Sequence, residues 1–350
     1  MRSFFHFSLF AILATISVFP SFAMLSSGAA VVSPDKSRYI AFLGHFHKET
    51  GRKHEARQLD ALVAICKEGV QEGKKFHILY EATCDIIKHF TTKRRILTHL
   101  EETFAQAEVP DCIIENVEIR DCGMAASHIF RAEGVVIDPL LTWNTNSKPF
   151  EELTFQDVFD EFEKYACELK PFVEQISQVD PACPYRAFVE GRYLQAVDYL
   201  DDVKKYLQNN QLPNETKILK LARERVADCK KLGQSISSAF SGLFDSHIFR
   251  KVLTFDPSVQ LIVIAGGVHA QEAEGLLQAI GWEPRIYKSC DFFAEDDEPL
   301  DSQTIRSFVL NETEWDKRVK DTYKYLASMS ISLGAQFQTL RDSIISRYCK

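Results

Sequence analysis

The sequence contains no CxxC pair, although its 350 residues include nine cysteines. A structural zinc knuckle draws on such closely spaced ligands, so none is expected. Cys66, Cys84, Cys112, Cys122, Cys167, Cys183, Cys229, Cys290 and Cys349 are instead widely and irregularly spaced. A chain this long builds a sufficient core without disulfide staples, so a disulfide scaffold is not expected either. An odd count leaves at least one thiol over if the others pair. Excess positive charge is also missing: the net charge is −8 and the pI near 5.7. Nucleic-acid phosphates call for clustered Lys and Arg, so no nucleic-acid partner is expected. The only basic triplet, Lys93-Arg94-Arg95, reads as a solvated helix face. No internal repeat stands out, and no hydrophobic anchor ends the chain.

One long, mostly apolar run is present, at the N-terminus. Met1-Arg2 is followed by a mostly apolar stretch from Phe4 to Phe19, then Pro20 and Ser21-Phe22-Ala23. A short apolar core with small residues at 21 and 23 matches a cleaved signal peptide, residues 1–23. The run is short and polar for a membrane span, which takes about 20 apolar residues. The expectation is an exported chain, periplasmic or extracellular, with no stable membrane anchor after cleavage. Residues 24–36 are small and polar and read as a loose leader.

Beyond that point apolar runs alternate with helical periodicity. Strands are expected at Tyr39–Leu43, Phe76–Tyr80, Ile113–Ile119, Val135–Ile137, Leu261–Ala265 and Arg285–Tyr287. Helices are expected over 55–68, 85–107, 123–132, 270–280 and 303–347. This order favours βαβ units: an α/β fold with a central, mostly parallel sheet of about six strands and flanking helices. From about 145 to 255 the pattern is helical throughout, a large insertion within one domain spanning 24–350. Its expected place is beside the sheet, over the ligand edge.

Two segments share a layout. Phe42-Leu43-Gly44-His45-Phe46-His47 and Ile264-Ala265-Gly266-Gly267-Val268-His269 each run from an apolar strand into Gly-x-x-His and then a helix. Ligands of open α/β sheets sit beyond the carboxyl ends of the strands, and glycine there permits close approach. His47 and His269 are therefore candidate site residues, and His45 shares the face of His47 on an extended chain. Glu81 follows the apolar strand Phe76–Tyr80. A carboxylate in that position is costly unless it is paired, hydrogen-bonded or on a metal. His45, His47, Glu81 and His269 together form a donor set suited to a divalent ion such as zinc, manganese or iron, with water activation as its chemistry. Arg120, in Glu118-Ile119-Arg120-Asp121, is a candidate for substrate charge or an oxyanion. The plainer alternatives are a loop histidine, a helix-capping carboxylate and a local ion pair.

The paired GxxH units, the strand-end Glu81 and the Arg120-Asp121-x-x-Met124-Ala125 segment resemble the TraB/TIKI/GumN group, related to erythromycin-esterase and ChaN-like proteins. The resemblance covers about 40–145 and 255–290. It implies an extracellular metal-dependent hydrolase or protease, with His47 and His269 as ligand or catalytic histidines, Glu81 as acidic partner and Arg120 as the arginine. One departure is the position of the arginine, which usually lies shortly before the second GxxH. Here 146 residues separate Arg120 from Gly266, and Arg250 is a rival by position alone. The leading expectation is a hydrolase, peptidase- or esterase-like, acting on a peptide or small-molecule substrate. The alternative is a non-catalytic binding protein for a peptide or haem-like ligand. A nucleophilic role for Cys84 or Cys122 is a minor third.

Overall fold

A computed structural model describes residues 23–47, 52–81, 96–133, 149–178, 184–288 and 300–310. The expected strand at Val135–Ile137, the basic triplet, Cys84 and most of the signal-peptide segment lie outside them.

Among the described residues six strands form one sheet: β1 (Ala23–Val32), β2 (Tyr39–His47), β3 (Phe76–Tyr80), β4 (Cys112–Asn116), β5 (Gln260–Gly266) and β6 (Glu283–Lys288). Their order is β4-β3-β5-β2-β1-β6. The β4, β3, β5 and β2 strands pair in parallel, and β1 runs antiparallel to both neighbours. The chain is thus α/β with a mixed, mostly parallel sheet.

Both faces of the central strands are covered. Phe42, Leu79, Leu261, Val263 and Ala265 enter one apolar core, while Leu43, Ile78, Tyr80, Ile262 and Ile264 enter the other. This explains why the strands read as continuous apolar runs rather than alternating ones. The second face is closed by α1 (Arg52–Gln71), α2 (Ile96–Gln106) and α9 (Ser302–Leu310). The first lies under α3 (Asp121–Arg131), α8 (Gly267–Ala279) and the helices of the insertion.

The insertion comprises α4 (Phe155–Ser177), α5 (Pro184–Asn209), α6 (Ile218–Glu224) and α7 (Val226–Thr254). Its entry is sharply defined. Thr154 accepts from the Asp157 backbone N–H, and the Asp157 carboxylate accepts from the Thr154 backbone N–H, a reciprocal cap that fixes the start of α4. The α7 helix is buried continuously from Gly242 to Phe249.

Residues 24–36 correct the sequence reading. They are not a loose leader, because Ala23–Val32 forms β1 inside the sheet. Small side chains made the stretch look like loop, yet Leu25, Ala29, Ala30, Val31 and Val32 are all buried. The irregularity between Leu25 and Ser27 is closed by Gln58 of α1. Its amide accepts from Leu25 N–H at 2.9 Å and donates to Leu25 C=O at 2.8 Å. The third expected strand is also shorter, ending at Asn116 rather than Ile119. Asn116 breaks it by accepting from the Glu118 N–H through its side chain at 2.9 Å.

Candidate functional site

The carboxyl ends of β2, β3 and β5 meet at one sheet edge. His45 of β2 lies in register with Gly266 of β5. Glu81, the residue after β3, continues that pairing by donating its N–H to Ile264 C=O at 2.9 Å. The strand register alone therefore brings His45, Glu81 and Gly266 together.

The two GxxH units are not equivalent. Gly266 is the N-cap of α8, and His269 sits in the first turn of that helix. Gly44 and His45 stay extended within β2, which runs on to His47. Among the described side chains of the first unit, His45 meets Glu81, its Nε2 3.6 Å from Glu81 Oε2. The backbone of His47 pairs with Ala23; its side chain lies outside the described residues. Each glycine permits a close approach. A Cβ on Gly44 would stand 2.1 Å from Ser27 Oγ, and one on Gly266 would stand 3.3 Å from Glu81 Oε2.

Glu81 is held by two hydrogen bonds. Its Oε2 accepts the Gly266 N–H at 2.6 Å, at the N-terminus of α8, where the helix dipole favours an anion. Its Oε1 accepts from Arg120 Nη2 at 2.5 Å. Burial by itself would raise the Glu81 pKa, but Arg120, then His45 and His269, hold the carboxyl well below the usual range.

Arg120 caps α3 and is almost wholly buried. Glu118 grips it as a fork: Arg120 Nε donates to Oε1 at 2.8 Å and Nη2 to Oε2 at 2.7 Å. The guanidinium lies 3.8 Å from the Phe244 ring centroid. Nη1 reaches His269 Nε2 at 3.3 Å. Burial opposes its charge, but Glu118 and Glu81 more than compensate and raise its pKa. The rival Arg250 is elsewhere, donating to Glu168 C=O at 2.9 Å and contacting His247.

The remaining side of His269 belongs to α7. Its Nδ1 hydrogen-bonds Asp245 Oδ1, and its ring meets Phe244 edge-on with centroids 4.9 Å apart. With Arg120 donating to Nε2, Nδ1 carries the proton and donates to Asp245. Burial would lower the His269 pKa, but Asp245 and then Glu81 raise it. The His269 side chain is 15% exposed and Asp245 5%, so the imidazole is the part of this pair that meets solvent.

Four of the candidates from sequence, His45, Glu81, Arg120 and His269, thus converge. Glu118 and Asp245 join them and were not foreseen as site residues. Asp245 had a signal: a carboxylate within a helix segment buried on all sides needs a partner. The surroundings of Cys122 disfavour a thiolate, since burial and then Glu161 raise its thiol pKa.

For a divalent ion, the donors His45, Glu81 and His269 are of suitable type. However, the Arg120 guanidinium already takes Glu81 Oε1 and His269 Nε2. A second cation there would be repelled by Arg120 and compete with it for both donors. Among the described residues no group of three His, Cys, Asp or Glu side chains is arranged as a metal site. The residues as placed therefore do not fit a resident metal unless Arg120 moves. Comparison with known proteins adds no family: the chain matches no established family, no curated protein and no solved structure.

Proposed function

We propose that this chain is an exported hydrolase of the peptidase or esterase kind, with His269 as general base and Arg120 as the group that receives developing negative charge. The observation that carries the reading is the arrangement around His269. A buried carboxylate holds Nδ1, a guanidinium stands at Nε2, and the side chain keeps 15% exposure. The sequence resemblance to the TraB/TIKI/GumN group and the signal-like N-terminus support the class and the export. Among the described residues no helix is long and apolar enough to cross a membrane.

The chemistry follows from the placement. As Arg120 Nη1 turns from His269 Nε2 to the substrate carbonyl oxygen, the imidazole nitrogen is freed to take a proton from a water whose oxygen bonds to the carbonyl carbon. The carbonyl π pair moves onto oxygen, which Arg120 stabilises. The tetrahedral adduct then collapses and expels an alcohol or amine, which takes the proton back from His269. Glu81 is a poor base, because its lone pairs are engaged and its pKa is depressed. Its part is to fix Arg120 and the turn at Gly266.

A second reading has a divalent ion held by His45, Glu81 and His269, with His47 as a further donor. The 3.6 Å approach of His45 to Glu81 favours it. It requires Arg120 to release two partners. Both readings are tested on purified full-length protein with a panel of p-nitrophenyl esters and fluorogenic peptides. Metal content is measured alongside, before and after chelation. Turnover that survives chelation and disappears in His269→Gln supports the base reading. Stoichiometric metal, with turnover lost on chelation and restored by the ion, supports the second. No turnover of any probe, with haem or peptide binding instead, supports a binding protein.

A further inference from the structure

The insertion contributes a side chain to this site. Arg192 of α5 lies between two carboxylates, with Nε 3.7 Å from Asp245 Oδ2 and Nη2 ion-paired with Glu272 Oε1. Asp245 Oδ1 is hydrogen-bonded to His269, and Oδ2 faces Arg192 in an ion pair longer than a hydrogen bond. Glu272 lies one turn beyond His269 on α8, so Arg192 ties α5 to α7 and α8 at once.

The backbone is shaped to deliver it. Gly242 precedes Asp245 by one turn of α7. A Cβ there would stand 2.8 Å from the Arg192 C=O and 3.1 Å from Ala196 Cβ. Without a side chain at 242, α5 can lie close enough for Arg192 to reach Asp245. Phe188, one turn earlier in α5, supports the guanidinium from 5.2 Å to its ring centroid. The guanidinium faces both carboxyl groups, which also contact each other. Burial, and then the neighbouring Asp245, raise the Glu272 pKa to about 7, against the pull of Arg192.

We propose that Arg192 is a positioning residue: it locks the Asp245 carboxylate so that Oδ1 stays on His269 Nδ1, making the helical insertion a working part of the site. This rests on the reading of His269 as the base, but its test needs no substrate. A free carboxylate rotates about its terminal torsion, which is broad and two-fold. Anchoring the second oxygen removes that freedom. An arginine serves because its fork spans two carboxylates in one plane, which a lysine cannot reproduce.

The test is proton NMR of the full chain carrying ¹⁵N-labelled histidine, with the His269 Nδ1–H signal assigned by its loss in His269→Gln. In the wild type this proton should exchange slowly with water. Arg192→Gln should speed its exchange at least tenfold while cooperative unfolding is retained. Arg192→Lys, which keeps the charge without the fork, should lie between the two and serves if the glutamine variant does not fold. Wild-type exchange in both variants, or in the lysine variant alone if only that one folds, would overturn the proposal. Failure of the wild type to hydrolyse any probe would sink the base reading and leave the Arg192–Asp245 coupling standing or falling on this measurement.

Discussion

Asp245 and His269 stand 24 residues apart in the chain, on α7 and α8, and meet through a carboxylate–imidazole hydrogen bond. The β5 strand lies between them in sequence, so the bond joins the insertion to the sheet edge. Asp245 raises the proton affinity of His269 against the opposing effect of burial. Asp245→Asn should lower the His269 pKa, read by NMR titration. The sign for stability follows. A raised histidine pKa stabilises the fold fully below the unfolded value near 6.5, and that contribution is lost as pH rises through the folded value. Asp245→Asn should remove this acid-side stabilisation. An unchanged titration would deny the coupling.

Arg120 neutralises two buried carboxylates at once, those of Glu81 and Glu118. Arg120→Met should destabilise the protein by about 3–5 kcal/mol in urea unfolding, the usual cost of stranding a buried partner. Adding Glu81→Gln should recover part of the loss, because one uncompensated charge is removed. Purely additive losses would mean that the pair is not coupled.

Gly44 is tightly enclosed. Gly44→Ala should cost about 1–3 kcal/mol through overpacking against Ser27. Ser27→Ala in the same chain should return much of it, since the contact at 2.1 Å is with the hydroxyl. Thermal melts of the single and double variants decide the matter. Equal destabilisation in both would place the conflict elsewhere, at Gly267.

Glu274 of α8 is buried with Gln278 as its hydrogen-bond donor. Burial pushes its carboxyl up to about 8 from 4.5. Its neutral form suits the fold, so stability should be greatest below pH 4.5 and decline as pH rises toward 8, by up to roughly 1.4 kcal/mol per unit. Glu274→Gln should flatten that slope and raise the melting temperature at pH 8. A wild-type slope retained in the variant would assign it to another group, with Glu161, pushed up to about 7, the next to test.

Much of the sheet was legible because β2, β3 and β5 are buried on both faces and so stand out as apolar runs. Glu81 and His269 were legible for the same reason: a charge or imidazole at the end of such a run contrasts with what precedes it. β1 was missed because Ser26, Ser27, Gly28, Ala29 and Ala30 carry little hydrophobic signal, and its place is fixed by pairing with β2 and β6. Among the described side chains the first unit meets Glu81 through His45, and Gly44 stays extended instead of opening a helix. Asp245, Arg192 and Glu272 have no local motif. Each lies within a helix, and only the packing of α5 on α7 and α8 brings them together. Glu118 looked like a local partner of Arg120, which it is, and the pair still sits in the site.

The most direct measurement is steady-state hydrolysis by the wild type, His269→Gln, Asp245→Asn and the double variant, on whichever ester or peptide probe the wild type turns over. If the two side chains act as one base, each single variant should lose about 10²–10⁴-fold in kcat. The double variant should then lose scarcely more than His269→Gln alone, because groups that work as a unit fail together. Multiplicative losses, or a His269→Gln enzyme with wild-type turnover, would contradict the assignment of His269 as the base.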